Sequence, residues 1–263
     1  MTQSAIRSLD IARGLFVLTG AIAQIVFGAL PFILDWENTV GSRSNEVQTL
    51  LTPASYAFSI WSLLFLGCLA YAVIHLFQLS NPLMRRTAWW AGLAFWFNTA
   101  WESWVPFFGI EGVSLGLITV CWLACVVFVL IESADSTVRL WDRLVRLPLY
   151  ALGGWLNAAA FVNLLIVAEL YNWPWLGEGT TEAAITVFVG ALLAASFVII
   201  RTGSVSYAAA SAWGVAAIYV TNAEGGDRIV AYAAAIGVGL LVLALLTGWT
   251  NRIRLSRTRS FAD

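Results

Sequence analysis

The apolar positions of this chain fall in long runs separated by polar stretches, not in the short amphipathic periods of a soluble fold. Apolar runs of about 20 residues, each about 30 Å long as a helix, are the signal of a transmembrane span. Eight such runs are read: Ile11–Leu34, Tyr56–Leu79, Ala88–Phe108, Gly112–Ile131, Leu147–Leu170, Ala183–Ile200, Val205–Asn222 and Ile229–Trp249. The seventh is the least apolar, because Ala208, Ala209, Ala210, Ser211, Ala212 and Gly214 dilute it. Small residues let helix backbones approach closely, so this segment is expected to be a buried packing helix. The first run continues to Leu34, too long for the core of a cleaved signal, and is kept as a span. Two loops are longer than the rest, Asp35–Ser55 and Glu132–Arg146. The second is expected to be an interfacial amphipathic stretch with Trp141 at the headgroups. No internal repeat is evident, so inverted-repeat transporter architecture has no support in the sequence.

Composition makes the membrane reading firm. Hydrophobic residues form 60% of the 263 positions and charged residues 11%, too little polar surface to coat a soluble globule. The fold class expected is therefore all-α, a polytopic membrane helix bundle of about eight transmembrane helices. The net charge of −1 and the absence of a basic face exclude nucleic acid as a partner. All fourteen cationic residues are Arg, and without Lys no retinal or pyridoxal Schiff base can form. Cys68, Cys121 and Cys125 lie in apolar runs, so no disulfide framework is implied.

Charge also orients the chain. With eight spans, twelve of the fourteen Arg fall on the side that holds both termini and the even-numbered loops; Arg43 and Arg228 fall on the other. The positive-inside rule then places both termini in the cytoplasm, in a multi-pass protein expected in a bacterial cytoplasmic membrane.

Fourteen Trp in one chain need an explanation. An aromatic belt accounts for Trp36, Trp89, Trp90, Trp141, Trp173, Trp175 and Trp249, all near span ends. Trp61, Trp96, Trp101, Trp122, Trp155 and Trp213 lie within spans, and Trp104 is at a boundary. An intramembrane indole needs either a partner for its N–H or a wide packing slot. Three segments suggest a site rather than packing alone. After Pro53 comes Tyr56, and Phe58, Trp61 and Phe65 recur on one helix face. Asn98 and Trp101 stand one turn apart in the third span. Trp155, Ala159 and Asn163 form a stripe about 12 Å long on the fifth, with a small residue at its middle. Stacking surfaces, a gap at Ala159 and amides to orient a ligand suit a flat aromatic molecule.

In these segments the chain resembles the TspO/MBR family, the tryptophan-rich sensory proteins related to the mitochondrial translocator protein. Trp61, Leu64 and Phe65 match its second-helix motif, Asn98 and Trp101 its third, and Pro148, Tyr150, Trp155, Ala159 and Asn163 its fifth. The single Pro53 replaces a usual double proline, and Tyr56 stands where Trp is common. The resemblance covers roughly residues 8–172 and implies a five-helix core over 1–172, with 173–263 as a three-helix C-terminal membrane extension ending in a basic tail. It further implies binding of tetrapyrroles such as porphyrin, or of sterol-like ligands, for sensing, transport or breakdown. The ligand-binding set it points to is Tyr56, Phe58, Trp61, Phe65, Asn98, Trp101, Trp155, Ala159 and Asn163. No cofactor is required, and the one bound group that the resemblance allows is a tetrapyrrole. The expected partners are the bilayer and the hydrophobic ligand, with a homodimer left open.

Other residues weigh less. His75, the sole histidine, reads as an interfacial residue rather than a haem ligand, and with no Cys/His cluster no metal site is expected. Glu102 reads equally as a snorkelling surface acid and as a carboxylate at a pocket mouth. No acid/base pair or nucleophile marks an enzyme; the one reaction implied is light-dependent porphyrin breakdown, attributed in the family to paired tryptophans matching Trp61 and Trp155. The competing reading is a small-solute transporter whose aromatic core is purely structural.

Overall fold

The computed structural model describes residues 7–134 and 144–260, with side chains as far as residue 253. Its described residues form α-helices and one 3-10 turn. In chain order they are α1 (Ser8–Ile33), α2 (Val40–Glu46), the 3-10 turn Ser55–Ser59, α3 (Ile60–Leu76), α4 (Pro82–Phe108), α5 (Gly112–Ser133), α6 (Leu147–Leu170), α7 (Thr181–Thr202), α8 (Val205–Ala223) and α9 (Arg228–Ser260).

Local chemistry sets the helix starts. The Asn81 side chain accepts from Leu83 N at 2.9 Å, and Pro82, whose missing N–H costs nothing in the first turn, opens α4. Glu111 caps α5 through Val113 N at 2.9 Å and Ser114 N at 3.1 Å. Thr180 caps α7 and Ser204 caps α8, each accepting a backbone N–H at 3.2 Å. Only two residues separate α7 from α8. That reversal turns on Gly203, whose φ of 59° is in the left-handed region that a side chain would strain.

The eight long helices alternate in direction. At one end, Asp10 at the start of α1 binds Arg85 at the start of α4, with oxygen–nitrogen distances of 3.0 and 2.5 Å. Asp10 also accepts from Arg13 within its own helix. At the same end Glu132 of α5 meets Arg146 beside α6 at 3.1 Å and accepts from the Tyr150 hydroxyl. Arg252 of α9 reaches the Ser133 carbonyl at 3.1 Å. Among the described residues, Arg13, Arg85, Arg146 and Arg252 thus gather at one end, as the charge partition requires, with Arg43 and Arg228 at the other.

Six of the helical segments are long and apolar enough to cross a membrane by length and composition: Ser8–Ile33, Ser55–Leu76, Gly112–Ser133, Leu147–Leu170, Thr181–Thr202 and Arg228–Ile253. The other two long helices are α4, diluted by indoles, Asn98 and Glu102, and α8, the Ala- and Ser-rich segment. Both are packed on several sides by their neighbours, α4 by α1 and α5 and α8 by α6 and α9. Large apolar side chains such as Phe32, Leu63, Leu193 and Ile236 project outward, the surface a bilayer requires.

Helix α6 is the axis of the bundle. It packs against α3, α5, α7 and α8, and 78% of its apolar stretch is buried. Gly154 makes the closest of these approaches possible: a Cβ there would run into the Tyr207 carbonyl and lie 3.1 Å from its Cα. Gly214 does the same from the α8 side, where a Cβ would meet the Ala158 methyl at 2.9 Å. The seventh run is indeed a close-packing helix.

Some local features depart from the sequence reading. The loop Asp35–Ser55 contains α2, begun by Thr39, whose hydroxyl accepts from Ser42 N at 3.0 Å. The second apolar run begins as a 3-10 turn, and its α-helix stops at Leu76 rather than Leu79. His75 is fully buried rather than interfacial, its Nδ1 facing the Met84 sulfur at 3.2 Å. The expected interfacial stretch around Trp141 lies outside the described residues.

Candidate functional site

The indoles within the spans divide by whether their N–H is satisfied. Trp96 donates to the Phe16 carbonyl at 3.1 Å, Trp122 to the Tyr207 hydroxyl at 3.2 Å and Trp213 to the Ala57 carbonyl at 3.0 Å. Trp104, at the boundary, donates to Glu111 at 2.7 Å. These four join helices or caps. Trp101 and Trp155 differ: each is 2% exposed, and each Nε1 lacks a hydrogen-bond partner among the described residues. A buried donor left unmade costs about 1–3 kcal/mol, so these two positions need a reason beyond packing.

That reason is where they sit. Trp61 lies 6.2 Å from Trp101 and 6.0 Å from Trp155, ring centre to ring centre. Trp155 stands edge-on to both Trp61 and Phe58, the latter at 6.1 Å. Together with Ala159, Val162 and Asn163 these rings enclose an apolar chamber of about 30 Å³. Asn163 donates to the Ala159 carbonyl of its own helix at 2.9 Å, leaving its Oδ1 unpartnered. Two donors and one acceptor of its lining residues therefore lack partners, beside a space about the size of one water molecule.

A larger space adjoins it. Between the C-terminal half of α1 and the N-terminal half of α3, beneath α2, lies a groove of about 590 Å³. Phe27, Pro31, Phe32, Phe65 and Leu66 form its apolar walls, and Glu102 is the acid that lines it. Val40, Phe58 and Trp61 line both spaces, so one partition separates the inner chamber from the groove. The roof is tied to α4 through Arg43, which donates to the Pro106 carbonyl at 3.3 Å, and the loop that follows it is tied to α8. Ala54 N donates to the Ala217 carbonyl at 3.2 Å, and Asn222 donates to the Leu50 carbonyl at 2.9 Å.

Of the nine residues the sequence marks as ligand-binding, Phe58, Trp61, Trp101, Trp155, Ala159 and Asn163 line the inner chamber. Phe65 lines the groove with Phe58 and Trp61. Tyr56 lines neither; half exposed, it stands edge-on to Trp213 at 5.5 Å. Asn98 also lies elsewhere, turned toward α1, where it donates to Gln24 Oε1 at 3.3 Å. One turn further along α4, Glu102 takes the place on the cavity wall expected of Asn98. Sequence reading missed Gly214 and Ile218 of α8, which complete the inner chamber. The only signal was the run of small residues there, which marks close packing without saying against what.

Cys121 donates to the Ala94 carbonyl at 3.1 Å and the three thiols are free. Among the described residues, no group of three or more His, Cys, Asp or Glu is placed to hold a metal ion.

Comparison with known proteins finds a family that this chain matches. A family model described as TSPO-like protein matches residues 14–247, which extends well past the motifs that end near residue 172. No curated protein and no solved structure matches the chain.

Proposed function

From the premise that the chain belongs to the TSPO-like family, we propose that it binds a planar hydrophobic ligand, a tetrapyrrole of the porphyrin class, for sensing or transport. The observation that carries this reading is the pair of buried, unpartnered indoles at Trp101 and Trp155, facing Trp61 across an apolar chamber beside a ligand-sized groove. A groove of about 590 Å³ falls within the roughly 300–1,000 Å³ usual for small-molecule sites; the inner chamber alone does not. The ring therefore enters the groove from the lipid beneath α2 and lies against Trp61. A turn of the Trp61 side chain then joins the two spaces and brings the ligand edge to Trp155 and Asn163.

Selectivity in such a site comes from shape and polar contacts, because a ligand that starts in lipid gains little from leaving water. In this reading residues 1–172 supply the ring-facing aromatics, and the extension 173–263 closes the back wall through Gly214 and Ile218. Both termini lie in the cytoplasm, so the groove opens toward the outer leaflet.

The test is titration of protoporphyrin against detergent-purified wild type and Ala159→Phe. The larger ring fills the inner chamber and blocks the ligand edge, so Ala159→Phe loses binding while its gel-filtration profile is kept. Equal affinities would overturn the assignment.

A further inference from the structure

Helices α1 and α4 meet outward of their middles in two successive rungs. In the inner rung Gln24 faces Asn98, amide to amide, at 3.3 Å. In the next rung, four residues on along each helix, Gly28 faces Glu102. A Cβ at Gly28 would lie 3.2 Å from each carboxyl oxygen and 3.2 Å from Phe65. The glycine thus leaves open, on the groove side, the space a side chain would fill. Glu102 is 4% exposed, and its Oε2 has no hydrogen-bond partner among the described residues. The nearest arginine of the roof is engaged: Arg43 of α2 binds Glu46 at 2.8 Å and the Pro106 carbonyl at 3.3 Å.

An acid buried among phenylalanines without a partner is costly in either protonation state, more so as an anion. A cation that brought its own apolar body would remove that cost. We infer that the α1–α3 groove is a site for lipid-soluble amines, in which the ammonium group donates to the Glu102 carboxylate and the hydrocarbon lies along Phe27, Phe32 and Leu66. A primary or secondary ammonium suits the site because it can direct an N–H to a carboxylate whose Oε2 has no partner among the described residues. The occupant comes from the bilayer, since the groove opens between the lipid-facing outer halves of α1 and α3. This inference does not depend on the tetrapyrrole reading, and it predicts the opposite response at one residue. Porphyrin carboxylates are repelled by Glu102 and amines are held by it.

The experiment uses the full chain in lipid nanodiscs, photolabelled with a long-chain primary amine bearing an alkyl diazirine, beside the alcohol of equal chain length. Labelled peptides are mapped by mass spectrometry. Saturable amine labelling at Phe27, Phe65 or Leu66 is expected, at least about tenfold stronger than for the alcohol, as a charge-assisted hydrogen bond allows. Glu102→Gln should abolish that preference and leave alcohol labelling unchanged, while protoporphyrin binding to the same variant strengthens. Gly28→Ala sets a methyl against the carboxyl and should weaken amine labelling without touching the acid, which keeps the test open should Glu102→Gln not fold. Amine and alcohol labelling equally, or an amine preference that survives both substitutions, would overturn the inference.

Discussion

Replacing Trp155 with Phe, set against the same change at Trp122, asks whether the unpaired indole is kept for a ligand. Both residues are intramembrane tryptophans, Trp155 buried and Trp122 half-buried, and both changes remove one ring and one N–H. They differ in what the N–H was doing. Trp122 donates to the Tyr207 hydroxyl at 3.2 Å, so Trp122→Phe loses that bond and leaves a fully buried hydroxyl with one partner fewer. Trp155 donates to no described residue, so Trp155→Phe removes an unmet donor worth about 1–3 kcal/mol. The vacated ring costs stability in both cases, as a fraction of the roughly 3–5 kcal/mol seen when a whole aromatic side chain is deleted. At Trp155 the two contributions oppose each other and nearly cancel. At Trp122 they add, with an interhelical bond in a membrane worth about 0.6–1.7 kcal/mol. Trp155→Phe should therefore be at least about 1 kcal/mol more stable than Trp122→Phe. Unfolding in mixed micelles by SDS titration, followed by far-UV circular dichroism, measures the difference directly. If Trp155→Phe is destabilised as much as Trp122→Phe, the indole N–H of Trp155 is satisfied in the membrane and the reasoning fails.

Three further outcomes follow from the packing and the charges. Gly154→Ala places a methyl against the Tyr207 carbonyl and should cost about 1–3 kcal/mol as overpacking, whereas Gly239→Ala, where a Cβ meets nothing within 4 Å, should be neutral or stabilising in the same SDS titration. Asp227 accepts from the Thr181 hydroxyl at 2.5 Å and from the α9 backbone at Ile229 and Val230; the hydroxyl first, then the backbone donors, hold its carboxyl below the usual carboxylate range. Because the folded value is the lower one, its contribution is present above the unfolded value and lost as pH falls through the folded one, so Asp227→Asn should flatten the acid limb of a pH–stability curve. A reporter enzyme active only outside the cytoplasm should stay silent when fused to the C-terminus and become active when inserted between α8 and α9; the reverse pattern would overturn the orientation.

The helices were legible because a bilayer demands long apolar runs and because arginines concentrate on one side, twelve against two, both of which are written in residue order. The 3-10 turn at Ser55–Ser59 and the short α2 were not, since they depend on contacts such as Ala54 with Ala217, over 160 positions away in the chain. The aromatic face Phe58–Trp61–Phe65 and the stripe Trp155–Ala159–Asn163 were read correctly as faces, and the structure brings them together. What a face meets depends on how each helix is rotated about its axis. Asn98 and Glu102 share the face of α4 turned toward α1, and what separates them is the residue opposite. Gln24 meets Asn98, whereas Gly28 leaves Glu102 on the groove wall, a pairing between helices that residue order does not show. Nor does residue order show which indole finds a partner: Trp96 and Trp101 look alike in sequence, yet one meets a carbonyl of α1 and the other an enclosed space.

Val40, Phe58 and Trp61 are one partition with two faces, and this imposes a reciprocity on anything that binds. A molecule in the groove that favours one rotamer of Trp61 changes the free energy of occupying the inner chamber, and by linkage the chamber's occupant changes affinity at the groove by the same factor. On the proposed function, occupants of the two spaces are coupled wherever each favours a different rotamer of Trp61. An affinity measured for either one is conditional on the concentration of the other, including any lipid or detergent carried through purification.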